Sequence, residues 1–177
     1  LVAITLLSLK LTPSQVHADN QFSWGPIQEV AKLFAGIFLT IIPVIAMLKA
    51  GVNGPFGSVV AAVTQPDGTP DVVMYFWITG FLSSFLDNAP TYLVFFNTAG
   101  GDAQVLMTTM ASTLAAISAG AVFMGANSYI GNAPNLMVKA IAEDRGIKMP
   151  SFFGYMAWSL CILIPLFVIM TFIWFRP

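Results

Sequence analysis

The stretch Phe81-Leu82-Ser83-Ser84-Phe85-Leu86-Asp87-Asn88-Ala89-Pro90-Thr91 decides the fold. An apolar run from Val72 to Leu86 stops there at an acid, an amide and a proline, and apolar sequence resumes from Tyr92 to Phe96. As a helix the first arm reaches about 22 Å, short of the ~30 Å hydrocarbon core of a bilayer. Two short apolar arms around a polar tip predict a re-entrant hairpin over 71–101, with a kinked spanning helix as the alternative. A second interruption, Gly125-Ala126-Asn127-Ser128-Tyr129-Ile130-Gly131-Asn132-Ala133-Pro134-Asn135, follows a run rich in small residues from Ala103 to Met124. Small side chains let helix backbones approach closely, which marks a helix packed inside a bundle. Leu136 to Ala142 resumes the apolar pattern and Glu143-Asp144-Arg145 leaves it, so 103–145 is predicted to be one spanning helix broken in its middle.

Outward from these two breaks, the chain is apolar throughout. Of its 177 residues 57% are hydrophobic and 8% charged, with a mean hydropathy of +0.81. Soluble domains carry about a quarter charged residues, so lipid is the solvent that fits, and a multi-pass integral membrane protein is expected. Ile27 to Leu48 reaches about 33 Å as a helix and gives a transmembrane segment over 27–49, with Pro43 predicted to kink it. Phe152 to Phe175 gives another over 151–176, with Trp158 and Trp174 as interface anchors, Arg176 at its end and no internal charge, as in a lipid-facing structural helix. Residues 1–10 read as a truncated helix, which makes 1–177 a single membrane domain and a fragment of a longer protein. The apolar run Leu1 to Leu11 before Val16-His17-Ala18 also mimics a secretory signal, although a charged leader segment is missing. Lys10, Arg145 and Lys148 outnumber Lys49 and Arg176 across the predicted spans, which tilts the first group toward the cytoplasm.

Several functions are disfavoured. Seven scattered Lys and Arg residues and a net charge of −1 offer nucleic acid no basic stripe. Cys161 is the only cysteine, so neither an internal disulfide nor a cysteine metal cluster can form. No nucleophile–base pair or phosphate loop is visible, so neither an enzyme nor a cofactor is expected.

The chemistry is expected at the breaks. Unpaired backbone groups cost several kcal/mol each in a bilayer, so broken helices persist only where protein or a water-filled cavity satisfies them. Both breaks carry Asn-Ala-Pro, at Asn88-Ala89-Pro90 and Asn132-Ala133-Pro134. Asp87 is the acid that interrupts a run expected at membrane depth. Desolvation favours its protonated form and a bound cation its charged form, so it can exchange a proton for Na⁺. Asn88, Thr91, Asn127, Ser128, Asn132 and Asn135 are the candidate neutral ligands, with Ser84 as a further oxygen and Asp87, Asn88 and Asn132 as the Na⁺ site. Lys139 is a candidate counter-charge for Asp87 or an anionic substrate, or else a side chain that snorkels to the interface. The plainer readings are surface loops, with Asp87 capping the second arm from a solvated tip.

At these residues the sequence resembles the ion transporter superfamily, in the branch of citrate-transporter-like carriers and type-D sodium/proton antiporters. The resemblance covers roughly Ile27 to Phe175. Residues 81–91 are similar to the family's hairpin tip, and 125–135 to the loop of its broken helix. It implies an all-α membrane fold in which this chain is the second of two inverted repeats, with the first repeat as a missing partner. It also implies a secondary active transporter with a midplane site. Carboxylate carriers of the family have a Ser-Asn-Thr tip, whereas this tip is Asp87-Asn88-Ala89. The acid disfavours a dianion and favours a cation, so Na⁺/H⁺ antiport is expected, with citrate or dicarboxylate:sodium symport as the alternative and a non-transporting membrane subunit as a third reading. The expected partners are a small ion or carboxylate, the lipid bilayer, and a second copy of the chain in a homodimer. The expected location is the bacterial inner membrane.

Overall fold

Helix is the only extended regular structure among residues 1–20 and 24–176, which the computed structural model describes; one isolated bridge joins Thr64 to Pro70. The chain forms two units, Leu1–Leu39 and Thr40–Pro177. The first holds α1 (Val2–Leu11), α2 (Ser14–Asp19) and the beginning of α3 (Gly25–Lys49). Leu6, Leu7 and Leu11 of α1 are all exposed, and the helix buries no residue. A helix apolar all round suits lipid better than water. The backbone of α3 stays helical through Pro43.

The second unit contains the end of α3, then α4 (Gly57–Ala62), α5 (Val72–Ser83), α6 (Asn88–Thr98), α7 (Ala103–Met107), α8 (Ala111–Phe123), α9 (Ala133–Asp144) and α10 (Phe152–Met170). A π-helical turn, Thr171–Phe175, extends α10. Its core is aromatic and aliphatic: Phe76, Phe95, Ile117 and Met124 are each no more than 1% exposed. Among the described residues, one helical stretch is long and apolar enough to cross a membrane, Phe152–Phe175, with a mean hydropathy of 2.4. Its helix continues through Pro165. Shorter apolar helices accompany it at Val2–Leu11, Leu39–Lys49, Val72–Ser83 and Ala111–Asn127.

α5 and α6, of 12 and 11 residues, extend about 18 and 16 Å. They double back on each other: the Tyr75 ring meets the Phe95 ring edge-on at 6.3 Å, one residue well before the tip and the other well after it. α5 also packs closely on α8. A Cβ at Gly120 would lie 2.5 Å from the Phe76 carbonyl oxygen and 3.1 Å from the Gly80 nitrogen, so only glycine fits. Gly120→Ala must push two backbones apart, and overpacking of this kind costs about 1–3 kcal/mol. The expected result is a lower midpoint of thermal unfolding in detergent; an unchanged midpoint would show that the two helices do not touch at this point.

The run from Ala103 to Met124, expected as one helix, is two. It unwinds at Thr108, where φ is −115° and ψ −81°. The Thr108 hydroxyl donates to the Gln104 carbonyl at 2.7 Å and the Thr109 hydroxyl to the Val105 carbonyl at 3.2 Å, while the Met110 N–H reaches five residues back to Val105. Threonine hydroxyls that bond the carbonyl four residues back compete with the helix ladder, and two in succession coincide with the break.

Candidate functional site

The repeated tripeptide starts two helices. Asn88-Ala89-Pro90 forms the first residues of α6, and Pro134 lies in the first turn of α9. Proline is tolerated there because the N–H it lacks would have no partner inside the helix. Asp87 and Asn132 hold the N-cap positions with extended backbone, and neither side chain makes a capping hydrogen bond. The Asp87 carboxylate therefore leaves unused the capping role its position offers. It is half-buried, and among the described residues no hydrogen bond or ion pair engages it.

The two breaks are in direct contact. Three oxygens surround the outer amide atom of Asn88: the Ala121 carbonyl at 2.8 Å, the Gly131 carbonyl at 3.1 Å and the Ser83 hydroxyl at 3.1 Å. Carbonyls only accept, so the hydrogen-bond network assigns the amide nitrogen to that position. Asn88, at the hairpin tip, thus donates to the end of α8 and to the second break together. The Ser83 hydroxyl also donates to the Ala121 carbonyl, at 2.5 Å. On the neighbouring residue, the Ser84 hydroxyl lies 2.9 Å from the Gly80 carbonyl and 3.0 Å from that of Met124, and accepts from the Asn127 amide at 3.0 Å. The Ser128 hydroxyl donates to the Ser84 carbonyl at 2.5 Å and accepts from the Gly131 N–H at 3.0 Å. Carbonyls freed by unwinding are in this way met by short side chains, at about 1 kcal/mol of net stability per bond.

Glycine makes the contact possible. A Cβ on Gly131 would sit 2.5 Å from the Ser83 carbonyl oxygen, 2.7 Å from that of Gly125 and 2.9 Å from that of Ser84. Gly125 is equally confined, facing the Asn88 amide and the Gly131 carbonyl.

The last helix takes part, although its uncharged sequence reads as lipid-facing. The Tyr155 hydroxyl donates to the Ala126 carbonyl at 3.0 Å, and the Ser159 hydroxyl to the Asn127 carbonyl at 2.6 Å. The Asn135 amide reaches the Tyr155 hydroxyl at 3.3 Å, and the Tyr155 ring stacks on Tyr129 at 4.1 Å. Sequence reasoning missed Ser83, Gly125, Gly131, Tyr155 and Ser159. The available signal was the spacing of Tyr155 and Ser159, four residues apart and so on one helix face.

The remaining candidates are placed as follows. Thr91 is fully buried and its hydroxyl donates to the Asp87 carbonyl at 3.0 Å. Asn127 is 3% exposed, and its side-chain oxygen is buried without a hydrogen-bond partner among the described residues. The hydroxyl of Thr79, whose Cβ packs close to Gly120, is the other such atom. A buried acceptor left unpaired costs about 1–3 kcal/mol. Among the described residues no group of three or more His, Cys, Asp or Glu assembles, so the donor set is amide, hydroxyl and carbonyl oxygen with a single acid. That set suits an alkali cation better than a transition metal.

Lys139 is paired, and its partner is Glu143 one turn on, at 2.6 Å, with the ammonium 5.6 Å from the centre of the Tyr129 ring. An exposed i,i+4 pair contributes about 0.3–0.5 kcal/mol. Lys139→Met is therefore expected to change stability by no more than that and to leave transport within about twofold. A collapse of transport in this variant would restore the counter-charge role.

A family model described as "Putative citrate transport" matches residues 1–175. No curated protein matches the chain, and no solved structure does.

Proposed function

The chain belongs to that citrate transport family, and on this footing, as an integral membrane protein with a transport role, we propose that it is the ion-binding half of a secondary active transporter exchanging Na⁺ for H⁺. The observation that carries the reading is the Asp87 carboxylate, half-buried and without a hydrogen-bond or ion-pair partner among the described residues, next to Asn88, whose amide reaches the second break. α5 and α6 are too short to cross the hydrocarbon core and fold back on each other, which supports a re-entrant hairpin. The ends of α5 and α8 bring backbone carbonyls to the joint, and C-terminal helix ends with unwound carbonyls favour a cation. Asp87, Asn88 and Asn132 are the proposed Na⁺ ligands, and the orphan oxygen of Asn127, whose amide nitrogen bonds Ser84, is a further candidate acceptor. Protonation of Asp87 would release the ion.

A second reading has its own support. The starts of α6 and α9 carry no side-chain cap, and uncapped N-termini present N–H groups and a positive dipole end to an anion. Together with the family's description, this favours a citrate or dicarboxylate symporter with Na⁺ in the same loops. The two separate in liposomes containing the full-length protein that carries this chain, placed in the bacterial inner membrane on this proposal. Antiport predicts that a Na⁺ pulse moves protons in the absence of citrate. Citrate uptake that needs Na⁺ and survives a collapsed proton gradient, with no proton movement in its absence, would overturn it in favour of symport.

A further inference from the structure

We propose that the second unit carries a binding site for a single phospholipid with an amino headgroup, at the end of the bundle where α5 and α8 begin and α10 finishes. A cavity of about 240 Å³ there is lined by Gln65, Asp71, Ser112 and Arg176 together with Trp174 and Phe175. Arg176 directly follows the membrane-crossing stretch Phe152–Phe175, and Trp174 is the kind of residue that settles at headgroup level. The cavity therefore lies at the depth where a lipid changes from polar to apolar.

Its charges are complementary to one headgroup class. Asp71 and Arg176 line the same space, yet no ion pair joins them among the described residues. One Asp71 oxygen caps α5 through the Met74 N–H at 3.0 Å, leaving the other available, and the Arg176 guanidinium lies 4.6 Å from the centre of the Phe172 ring. A guanidinium suits a phosphate and a carboxylate suits an ammonium. A phosphoethanolamine carries both, whereas a phosphoglycerol carries only the first.

The cavity adjoins an apolar groove of about 740 Å³. Ser112, Trp174 and Phe175 belong to both, and Ala115, Ala119 and Met170 carry the groove along α8. From Ala111 to Phe123 this is about 20 Å of helix, room for much of an acyl chain. The polar end and the apolar groove share three lining residues, an adjacency that a lipid requires and a soluble ligand does not.

The test is lipid retention. The full-length protein is purified from membranes, stripped with detergent, and offered phosphatidylethanolamine or phosphatidylglycerol; bound lipid is then counted by native mass spectrometry. One phosphatidylethanolamine per chain is expected, held about tenfold more tightly than phosphatidylglycerol. Asp71→Asn keeps a capping side chain but removes the charge, and should erase that preference. Arg176→Gln should weaken both lipids, and Ala115→Phe or, independently, Ala119→Phe should block both. No retained lipid, equal retention of the two headgroups by the parent, or unaltered retention in both phenylalanine variants would overturn the site. The first of these is also the outcome if protein from elsewhere in the full chain covers the groove. Retention is read without any flux measurement, so it stands or falls separately from the transport reading.

Discussion

Asp87→Asn is expected to reduce Na⁺-driven proton flux to the level of empty liposomes while leaving the protein folded. The substitution keeps shape and size, and the carboxylate it removes makes no capping bond. What holds this position is the Asp87 backbone carbonyl, which accepts from the Thr91 hydroxyl at 3.0 Å and from the Thr91 N–H at 3.4 Å. Neither depends on the side chain. Loss of flux would therefore report on the carboxylate itself. A carboxylate that alternates between a proton and a cation couples the two, whereas an amide can bind a cation weakly but has no proton to exchange. If the chain moves an anion, the same variant has the opposite effect. Removing a negative charge about 4 Å from a bound carboxylate would relieve repulsion of up to about 4 kcal/mol at an effective dielectric of 20, and citrate would bind more tightly. Flux and affinity in this one variant thus separate the two substrates.

Gly131→Ala is expected to disrupt the joint between the two breaks. The added carbon meets three carbonyl oxygens at 2.5, 2.7 and 2.9 Å, all of them backbone and none able to swing aside. Relieving the contact means separating the hairpin tip from the second break, which stretches the Asn88 bond to the Gly131 carbonyl and the Ser128 bond to the Gly131 N–H. Overpacking of about 1–3 kcal/mol adds to about 1–3 kcal/mol for each buried group left unpaired. With one such group left unpaired, a loss of roughly 2–6 kcal/mol in stability follows, with transport reduced at least tenfold where the protein still folds. Gly36→Ala is the control: among the described residues a Cβ there meets nothing within 4 Å, and in a helix the change should be neutral or stabilising by up to about 1 kcal/mol. Equal effects at the two glycines would show that the breaks do not meet.

Much of the helical layout was legible because prolines and polar clusters interrupt long apolar runs. Asn88-Ala89-Pro90 and Asn132-Ala133-Pro134 stood out as breaks, and both prove to be helix starts. The unwinding at Thr108 was not legible, since Ala103 to Met124 is apolar enough to be read straight through and the competing threonine hydroxyls act locally. The joint itself was only half visible. Amides and an acid are conspicuous in an oily sequence, so Asn88, Asn127, Ser128 and Asn135 were singled out. Gly125, Gly131 and Ser83 are inconspicuous, and their importance appears only when two backbone segments far apart in the sequence are brought within touching distance. Tyr155 and Ser159 were overlooked for a related reason: a helix without charge looks inert, and two hydroxyls on one face are enough to make it a wall of the site.

The central claim is that the polar tip at Asp87 and the second break at Asn132 lie together at membrane depth around a cation. Single cysteines at these two positions, in a Cys161→Ser background, test it directly when labelled by a membrane-impermeant thiol reagent from each side of the membrane. The account predicts slow labelling at both positions, against rapid labelling of an Asp67→Cys control in the exposed loop before α5. Labelling of both positions as fast as the control, and from one side only, would contradict it.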